Sequence, residues 1–281
     1  MFCPRALFSH CPVSNCYLTS DRTKLAEHRH DALLFHSHDL FQHKMRLPET
    51  RSIGQRYVLF SIEPVLNCGG LTHWEYSVLS GYFNLTASFR RDADIVVPYG
   101  RIVPSDPRRQ IAPTFGSGES LSDSVNMSLV EGKSRNMLFV TSHCFTDSDR
   151  EGVARRLNKT LSIDFRGKCA GVWDERFRSR GQDRKRRGTQ LNVHLYYFYL
   201  AAENSLCKDY ITEKFFDAMS QDVVPVVYGK GDYSKVAPPH SYIDMADFES
   251  EEEAGKYLQY LIDNPAAYLE YFWWKPHFQV R

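Results

Sequence analysis

Tyr197-Phe-Tyr-Leu-Ala-Ala-Glu-Asn-Ser205, Asp209-Tyr-Ile-Thr-Glu-Lys214 and Val223-Val-Pro-Val-Val-Tyr-Gly229 are the runs that decide how this chain folds. The first is an aromatic and aliphatic run that ends in polar Glu203, Asn204 and Ser205, the pattern of a buried strand opening into a loop. The second predicts a helix beginning near Thr212, and the third predicts another buried strand. Strand, loop, helix, strand is the unit of a parallel α/β sheet, whose βα turns are where such sheets bind ligands. Lys214 then falls in the first turn of the helix, where free N–H groups and the positive end of the dipole favour an anion such as a pyrophosphate. A single Lys there is usually a solvated side chain, so a cation set against the dipole asks for a reason.

The same kind of reading extends outward in both directions. Met137-Leu-Phe-Val140 predicts a strand, Asp149 to Asn158 a helix and Leu161-Ser-Ile163 the next strand. Glu249 to Asn264 carries Ala254, Tyr257, Leu258, Leu261 and Ile262 at helical spacing behind a run of acids, with Pro265 ending it. In the N-terminal half, Ala32-Leu-Leu-Phe35, Tyr57-Val-Leu-Phe-Ser-Ile62 and Ile95-Val-Val97 predict strands, each followed by a turn signal. From Pro104 to Lys133 the chain is rich in Pro, Ser, Gly and Asn, which places a domain boundary there and divides the chain into residues 1–130 and 131–281. No repeat of about 20–50 residues is visible, which argues against a solenoid or propeller.

Bulk properties narrow the function classes. With 281 residues, 42% of them hydrophobic and 25% charged, the chain has globular composition and room for two ordinary domains. A formal net charge of +1 gives no general attraction to nucleic acid or anionic membrane. The basic run from Arg176 to Arg187 reads as a solvated loop; no aromatic residues interleave between Arg178 and Arg187 to stack bases, and in a secreted context the run could be a dibasic cleavage site. Seven cysteines (Cys3, Cys11, Cys16, Cys68, Cys144, Cys169, Cys207) point to an oxidising compartment. There is no apolar run of about 18 residues and no signal-peptide plan at the N-terminus. Asn84-Leu-Thr86, Asn126-Met-Ser128 and Asn158-Lys-Thr160 are N-glycosylation triplets if the chain is lumenal. His28, His30, His36, His38 and His43 crowd the region near Cys11 and Cys16, yet no pair has zinc-finger spacing.

The stretch YYFYLAAENS, followed by DYITEK and VPVVYG, resembles the signature region of the α1,3-fucosyltransferases, whose members carry close relatives of YKFYLAFENS, DYVTEK and VPVVYG. The resemblance continues through Asp232-Tyr233, Ala237-Pro-Pro-His-Ser-Tyr-Ile243, Asp247-Phe248 and Tyr271-Phe-Trp-Trp274, and so covers most of the C-terminal half in order. Tyr197 stands where the family commonly has Lys, and Ala202 where it has Phe. VPVVYG with APPHSYI is similar to arthropod and plant members that fucosylate the N-glycan core.

That resemblance implies an α/β fold of two facing Rossmann-like domains (GT-B type). The N-terminal one, incomplete at its start, would serve the acceptor, and the C-terminal one would bind GDP-fucose. It implies an inverting transfer of fucose in α1,3 linkage to N-acetylglucosamine of glycoprotein N-glycans. An outer-chain, Lewis-type acceptor and a truncated, non-catalytic GDP-sugar binder are the alternatives. Localisation would be the Golgi cisterna membrane, through an anchor that this sequence lacks, and no nucleic-acid partner is implied.

Glu63, after the strand ending at Ile62, matches the Glu of the family's Glu-Ser-Pro motif, with Pro64-Val65 in place of Ser-Pro, and is the implied general base. Arg150, which follows Val140-Thr-Ser-His-Cys144 where the family has a VSNC-like segment, and Lys214 are the implied diphosphate ligands. Glu213, Asn204 and Tyr210 would add polar contacts to nucleotide and sugar. Asn84-Leu-Thr-Ala-Ser-Phe-Arg90 stands in for the family's N-W-T-x-x-Y-R, which turns Arg90 to the cleft with a role left open. The D-x-D of Asp92 and Asp94 reads as structural rather than metal-binding. No metal site and no obligatory cofactor are implied, Mn or Mg being at most stimulatory.

Overall fold

The computed structural model describes residues 8–9, 11–42, 46–64, 79–106, 108, 127–173 and 192–281. Cys3, His43, Cys68, Asn126 and the basic run up to Arg187 lie outside them, as does most of the expected boundary segment between residues 104 and 133. The chain divides into two compact units, Met1–Ser88 with Asp92–Val96, and Phe89–Arg91 with Val97–Arg281.

The first unit is built on a four-stranded parallel sheet in the order β1 (Ala32–His36), β2 (Arg56–Ser61), β3 (Leu85–Ser88), β4 (Ile95–Val96), with helix α1 (Ser37–Gln42) directly after β1. Leu33 pairs with Tyr57 and Val58 with Leu85. An aromatic cluster covers one face: Phe35 meets Tyr57 at 5.2 Å and Phe83 at 5.5 Å between ring centroids. Polar side chains do much of the remaining work. Asn84 Oδ1 accepts hydrogen bonds from the Tyr57 amide (2.9 Å) and from Arg51 (2.7 Å), which ties β3 to β2. Strand β3 carries Thr86 and Ser88 among only four residues, so it lacks the apolar alternation that reveals a strand in sequence.

The second unit contains a five-stranded parallel sheet in the order β10 (Ile243–Asp244), β9 (Val224–Tyr228), β8 (Tyr196–Ala202), β6 (Arg135–Val140), β7 (Ile163–Arg166). A two-stranded antiparallel ribbon pairs β5 (Ile102–Pro104) with β11 (Phe278–Val280). The sheet's apolar runs bury both faces, as parallel strands flanked by helices require. One face packs Met137, Phe139, Ile163, Phe198, Leu200 and Val226 against helices α2 (Arg150–Leu157) and α5 (Glu251–Asp263). Between them in sequence lie α3 (Ala170–Trp173) and α4 (Glu213–Met219), which begins beside Thr212 as expected.

Two local readings are corrected. The strand expected at Leu161 to Ile163 runs instead from Ile163 to Arg166, because Ile163 and Phe165 face the core while Asp164 takes hydrogen bonds from Tyr196 (2.8 Å) and Arg135. Pro265 does not simply end α5; it also opens α6 (Pro265–Leu269) as a first-turn residue, where its missing N–H costs nothing. The start of α5 follows its sequence signals, with Ser250 Oγ capping the Glu253 amide at 3.2 Å.

A disulfide joins Cys144, after β6, to Cys169, after β7, with Cα atoms 5.2 Å apart. Among the described residues Cys11, Cys16 and Cys207 are free thiols, and no helix is long and apolar enough to cross a membrane.

Candidate functional site

In the five-stranded sheet the chain passes from β6 outward to β7 and then returns to the other side of β6 as β8. The order therefore reverses between β6 and β8. In open α/β sheets the crevice beyond the carboxyl ends of the strands at such a reversal is where ligands bind.

Arg150 opens α2 just after β6, behind Asp149 in the left-handed backbone conformation (φ 51°). Its side chain is buried, with 2% exposure for the residue. Nη1 donates to the Ala202 carbonyl at the end of β8 (2.9 Å), and Nη2 donates to Thr141 Oγ1 at the end of β6 (2.8 Å). The guanidinium thus ties together the two strand ends that flank the reversal. Its Nε is buried without a hydrogen-bond partner. Burial pushes the guanidinium pKa down, and Glu203 and Glu151 oppose the shift. Ser148 adds a second tie, donating from Oγ to the Glu203 carbonyl at 2.7 Å.

Glu203 follows β8 directly, and its side chain has 0% exposure. Oε1 accepts the Thr212 amide at 2.8 Å; Oε2 accepts Thr212 Oγ1 at 2.9 Å and Lys214 Nζ at 3.1 Å. Burial raises the carboxyl pKa, and Lys214 and Thr212 pull it back. Here is the reason for a cation at the start of α4. Glu203 already supplies the anion that the free amides attract, and Lys214 is its counter-ion. Lys214 Nζ also donates to Thr212 Oγ1 at 2.7 Å and lies 3.3 Å from Glu213, whose side chain is 55% exposed.

Asn204, the next residue in the chain after Glu203, has a buried Oδ1 without a hydrogen-bond partner. The hydroxyl of buried Tyr233 also has none; a Cβ built on Gly229 would sit 2.8 Å from it and 3.4 Å from Glu203 Cγ. Tyr210 is fully buried, its ring 4.9 Å from Phe89 and 6.2 Å from Tyr99. Asp209, in the left-handed conformation (φ 64°), accepts the Arg91 amide at 3.3 Å. Phe89 and Arg91 therefore fasten exposed Arg90 to the loop between Glu203 and Thr212, where its charge lowers the pKa of a Cys207 thiol that burial raises.

Of the residues singled out in sequence, the second unit gathers Arg90, Arg150, Asn204, Tyr210, Glu213 and Lys214 around these loops. Glu63 stands in the first unit, half-buried just beyond the carboxyl end of β2. Its carbonyl accepts Ser61 Oγ at 2.7 Å, and that hydroxyl in turn accepts Ser37 Oγ at 2.8 Å, so the turn carrying Glu63 is pinned to the sheet. Asp94 is engaged in structure: Oδ2 accepts the Thr86 amide (2.8 Å) and hydroxyl (2.9 Å), which also lowers its pKa. Among the described residues no three His, Cys, Asp or Glu side chains gather as a metal site. Glu203 is the residue that sequence reading passed over. The available signal was an acid placed directly after a buried strand, where burying a carboxylate demands partners.

A family model described as "Glycosyltransferase family 10 (fucosyltransferase) C-term" matches residues 130–281, and one described as "Fucosyltransferase, N-terminal" matches residues 3–100. The chain is 35% identical over 277 residues to "Alpha-(1,3)-fucosyltransferase C" of Drosophila melanogaster, which covers 96% of this chain and 63% of that protein. It is also 35% identical over 275 residues to "3-galactosyl-N-acetylglucosaminide 4-alpha-L-fucosyltransferase FUT3" of Pongo pygmaeus, covering 96% of this chain and 65% of that one. The chain thus spans just under two thirds of the length of these relatives. A crystal structure of an α1,3-fucosyltransferase with GDP-fucose has the same α/β fold, with a TM-score of 0.50 and 18% identity over 80% of this chain and 67% of that one. The parallel sheet with its reversal at β6 and β8 lies wholly within the C-terminal match, which alone spans more than half of the sequence, and the chain belongs to glycosyltransferase family 10, the fucosyltransferases.

Proposed function

We propose that this chain takes part in an inverting transfer of fucose from GDP-fucose, in α1,3 linkage, to N-acetylglucosamine of glycoprotein N-glycans, with the glycan core as the acceptor we favour. The observation that carries the reading is that two buried polar atoms beside the reversal of the five-stranded sheet, Arg150 Nε after β6 and Asn204 Oδ1 after β8, lack hydrogen-bond partners among the described residues. One is a donor and one an acceptor, so they complement a ligand that brings both kinds of atom, as a nucleotide sugar does with its phosphate oxygens and hydroxyls.

In this mechanism the acceptor hydroxyl gives its proton to the Glu63 carboxylate as its oxygen attacks the anomeric carbon of fucose, opposite the diphosphate. The bond from that carbon to the phosphate oxygen breaks, and its electron pair leaves with GDP. Lys214 and Arg150 supply positive charge to the diphosphate, and Mn or Mg at most stimulates. Lys214 reaches a phosphate by exchanging its contact with Glu213, an exposed side chain whose ion pair is worth only about 0–1 kcal/mol. Glu213, once released, opposes the positive charge that develops on the sugar; Asn204 and Tyr210 line the nucleotide and sugar, and Arg90 faces the same loop.

The 4-linked transfer to a 3-galactosyl-N-acetylglucosaminide named for the relative from Pongo pygmaeus supports an outer-chain acceptor as the second reading. Both are tested by GDP release from GDP-fucose in EDTA, with a core N-glycan glycopeptide or a lactosamine acceptor. Release that depends on the core glycopeptide and disappears in Glu63→Gln is the expected result. GDP binding without release to either acceptor would overturn transfer and leave a nucleotide-sugar-binding family member.

A further inference from the structure

None of the roles above uses Glu203, although its carboxylate is fully buried at the site. Its backbone is clamped at both ends: the amide donates to the Tyr228 carbonyl at 2.9 Å, and the carbonyl accepts Ser148 Oγ at 2.7 Å. From that fixed base the carboxylate is hydrogen-bonded, among the described residues, to Thr212 and Lys214. Thr212 Oγ1 joins them further, donating to Glu203 and accepting from Lys214. An ammonium on a four-carbon stem is ordinarily a mobile point charge. Here it is fixed from two sides with only 17% of its side chain exposed.

Resting on the donor-site reading above, we propose that Glu203 is a positioning residue: it fixes the ammonium of Lys214 where the diphosphate meets it, and it acts on the nucleotide only through that ammonium. A carboxylate that merely neutralised Lys214 would have the opposite consequence. Removing a neutraliser frees a cation and tightens GDP binding, whereas removing a positioner lets the cation wander and weakens it.

Calorimetric titration with GDP of the wild type, Glu203→Gln, Lys214→Met and the double variant separates the two. Glu203→Gln keeps an acceptor for the Thr212 amide and loses the charge. Its Kd for GDP should rise about tenfold, and KM for GDP-fucose should rise with it while kcat changes less. The double variant should bind GDP no more weakly than Lys214→Met alone, and Glu203→Asp should recover part of the affinity. Thr212→Val gives an independent arm should Glu203→Gln fail to fold: loss of the shared hydroxyl should also weaken GDP binding. A Glu203→Gln protein that binds GDP as tightly as wild type or more so, a double variant with additive losses, or an unchanged Thr212→Val protein would each overturn the proposal. A wild-type chain that does not bind GDP would sink the donor-site reading itself, and this inference with it.

Discussion

The four-stranded sheet of the first unit and the five-stranded sheet of the second are both parallel, yet they place polar chemistry differently. In the first, polar side chains brace the strands: Asn84 holds β2, Asp94 holds Thr86 of β3, and Ser37 and Ser61 pin the turn at Glu63. In the second, apolar contacts bury the strands; one polar tie joins Asp164 to Arg135 and Tyr196 across three of them, and the buried charged groups, Arg150 and Glu203, are held by hydrogen bonds beyond the carboxyl ends. On the proposed mechanism, stability and ligand chemistry are then separable in the first unit and entangled in the second. Charged groups with little exposure cannot be removed from the second unit without leaving buried partners unsatisfied.

The sharpest test of that difference is Glu63→Gln. On the proposed mechanism it lowers kcat by about 10²–10⁴-fold, as loss of a general base does. Its unfolding midpoint should stay close to that of the wild type, because the Ser61 hydrogen bond that pins the turn goes to the Glu63 carbonyl, which the substitution keeps. In the second unit, Arg150→Met should lose GDP affinity and stability together, with about 3–5 kcal/mol of unfolding free energy in a urea titration. A folded, fully stable Arg150→Met protein would break the comparison.

How legible each region was in sequence follows the same division. Strands β8 and β9 announced themselves because parallel strands buried on both faces read as unbroken apolar runs. Strand β3 did not, since Leu85-Thr-Ala-Ser88 is held largely by polar bonds, Asn84 to the Tyr57 amide and Asp94 to the Thr86 amide and hydroxyl. The end of β7 was hidden for a related reason: Asp164 and Arg166 look like loop residues until Arg135 and Tyr196 arrive from neighbouring strands. Lys214 was visible as an anomaly against the helix dipole, but its explanation was not. Glu203 lies eleven residues earlier in the chain and meets it only through the fold.

Smaller effects refine the picture. Cys144→Ser opens a loop of 25 residues in the second unit and should cost about 2–4 kcal/mol of unfolding free energy, with no change in the first unit's hydrogen exchange. Asp94→Asn should lower the melting temperature of the first unit at pH 7 by a lesser amount. The sign of its pH dependence is set by the depressed carboxyl pKa. The ionised, hydrogen-bonded Asp94 stabilises the folded unit above its ordinary value of 3.8, and that contribution disappears as pH falls through the lowered one. Melting curves of wild type and Asp94→Asn should converge below that range.

Hydrogen exchange with and without GDP tests most directly whether the reversal between β6 and β8 is the nucleotide site. GDP should slow exchange of the amides between Thr141 and Arg150 and between Glu203 and Lys214, while β1 and β2 exchange as before. Protection confined to β1 and β2, with residues 203–214 unaffected, would contradict the account.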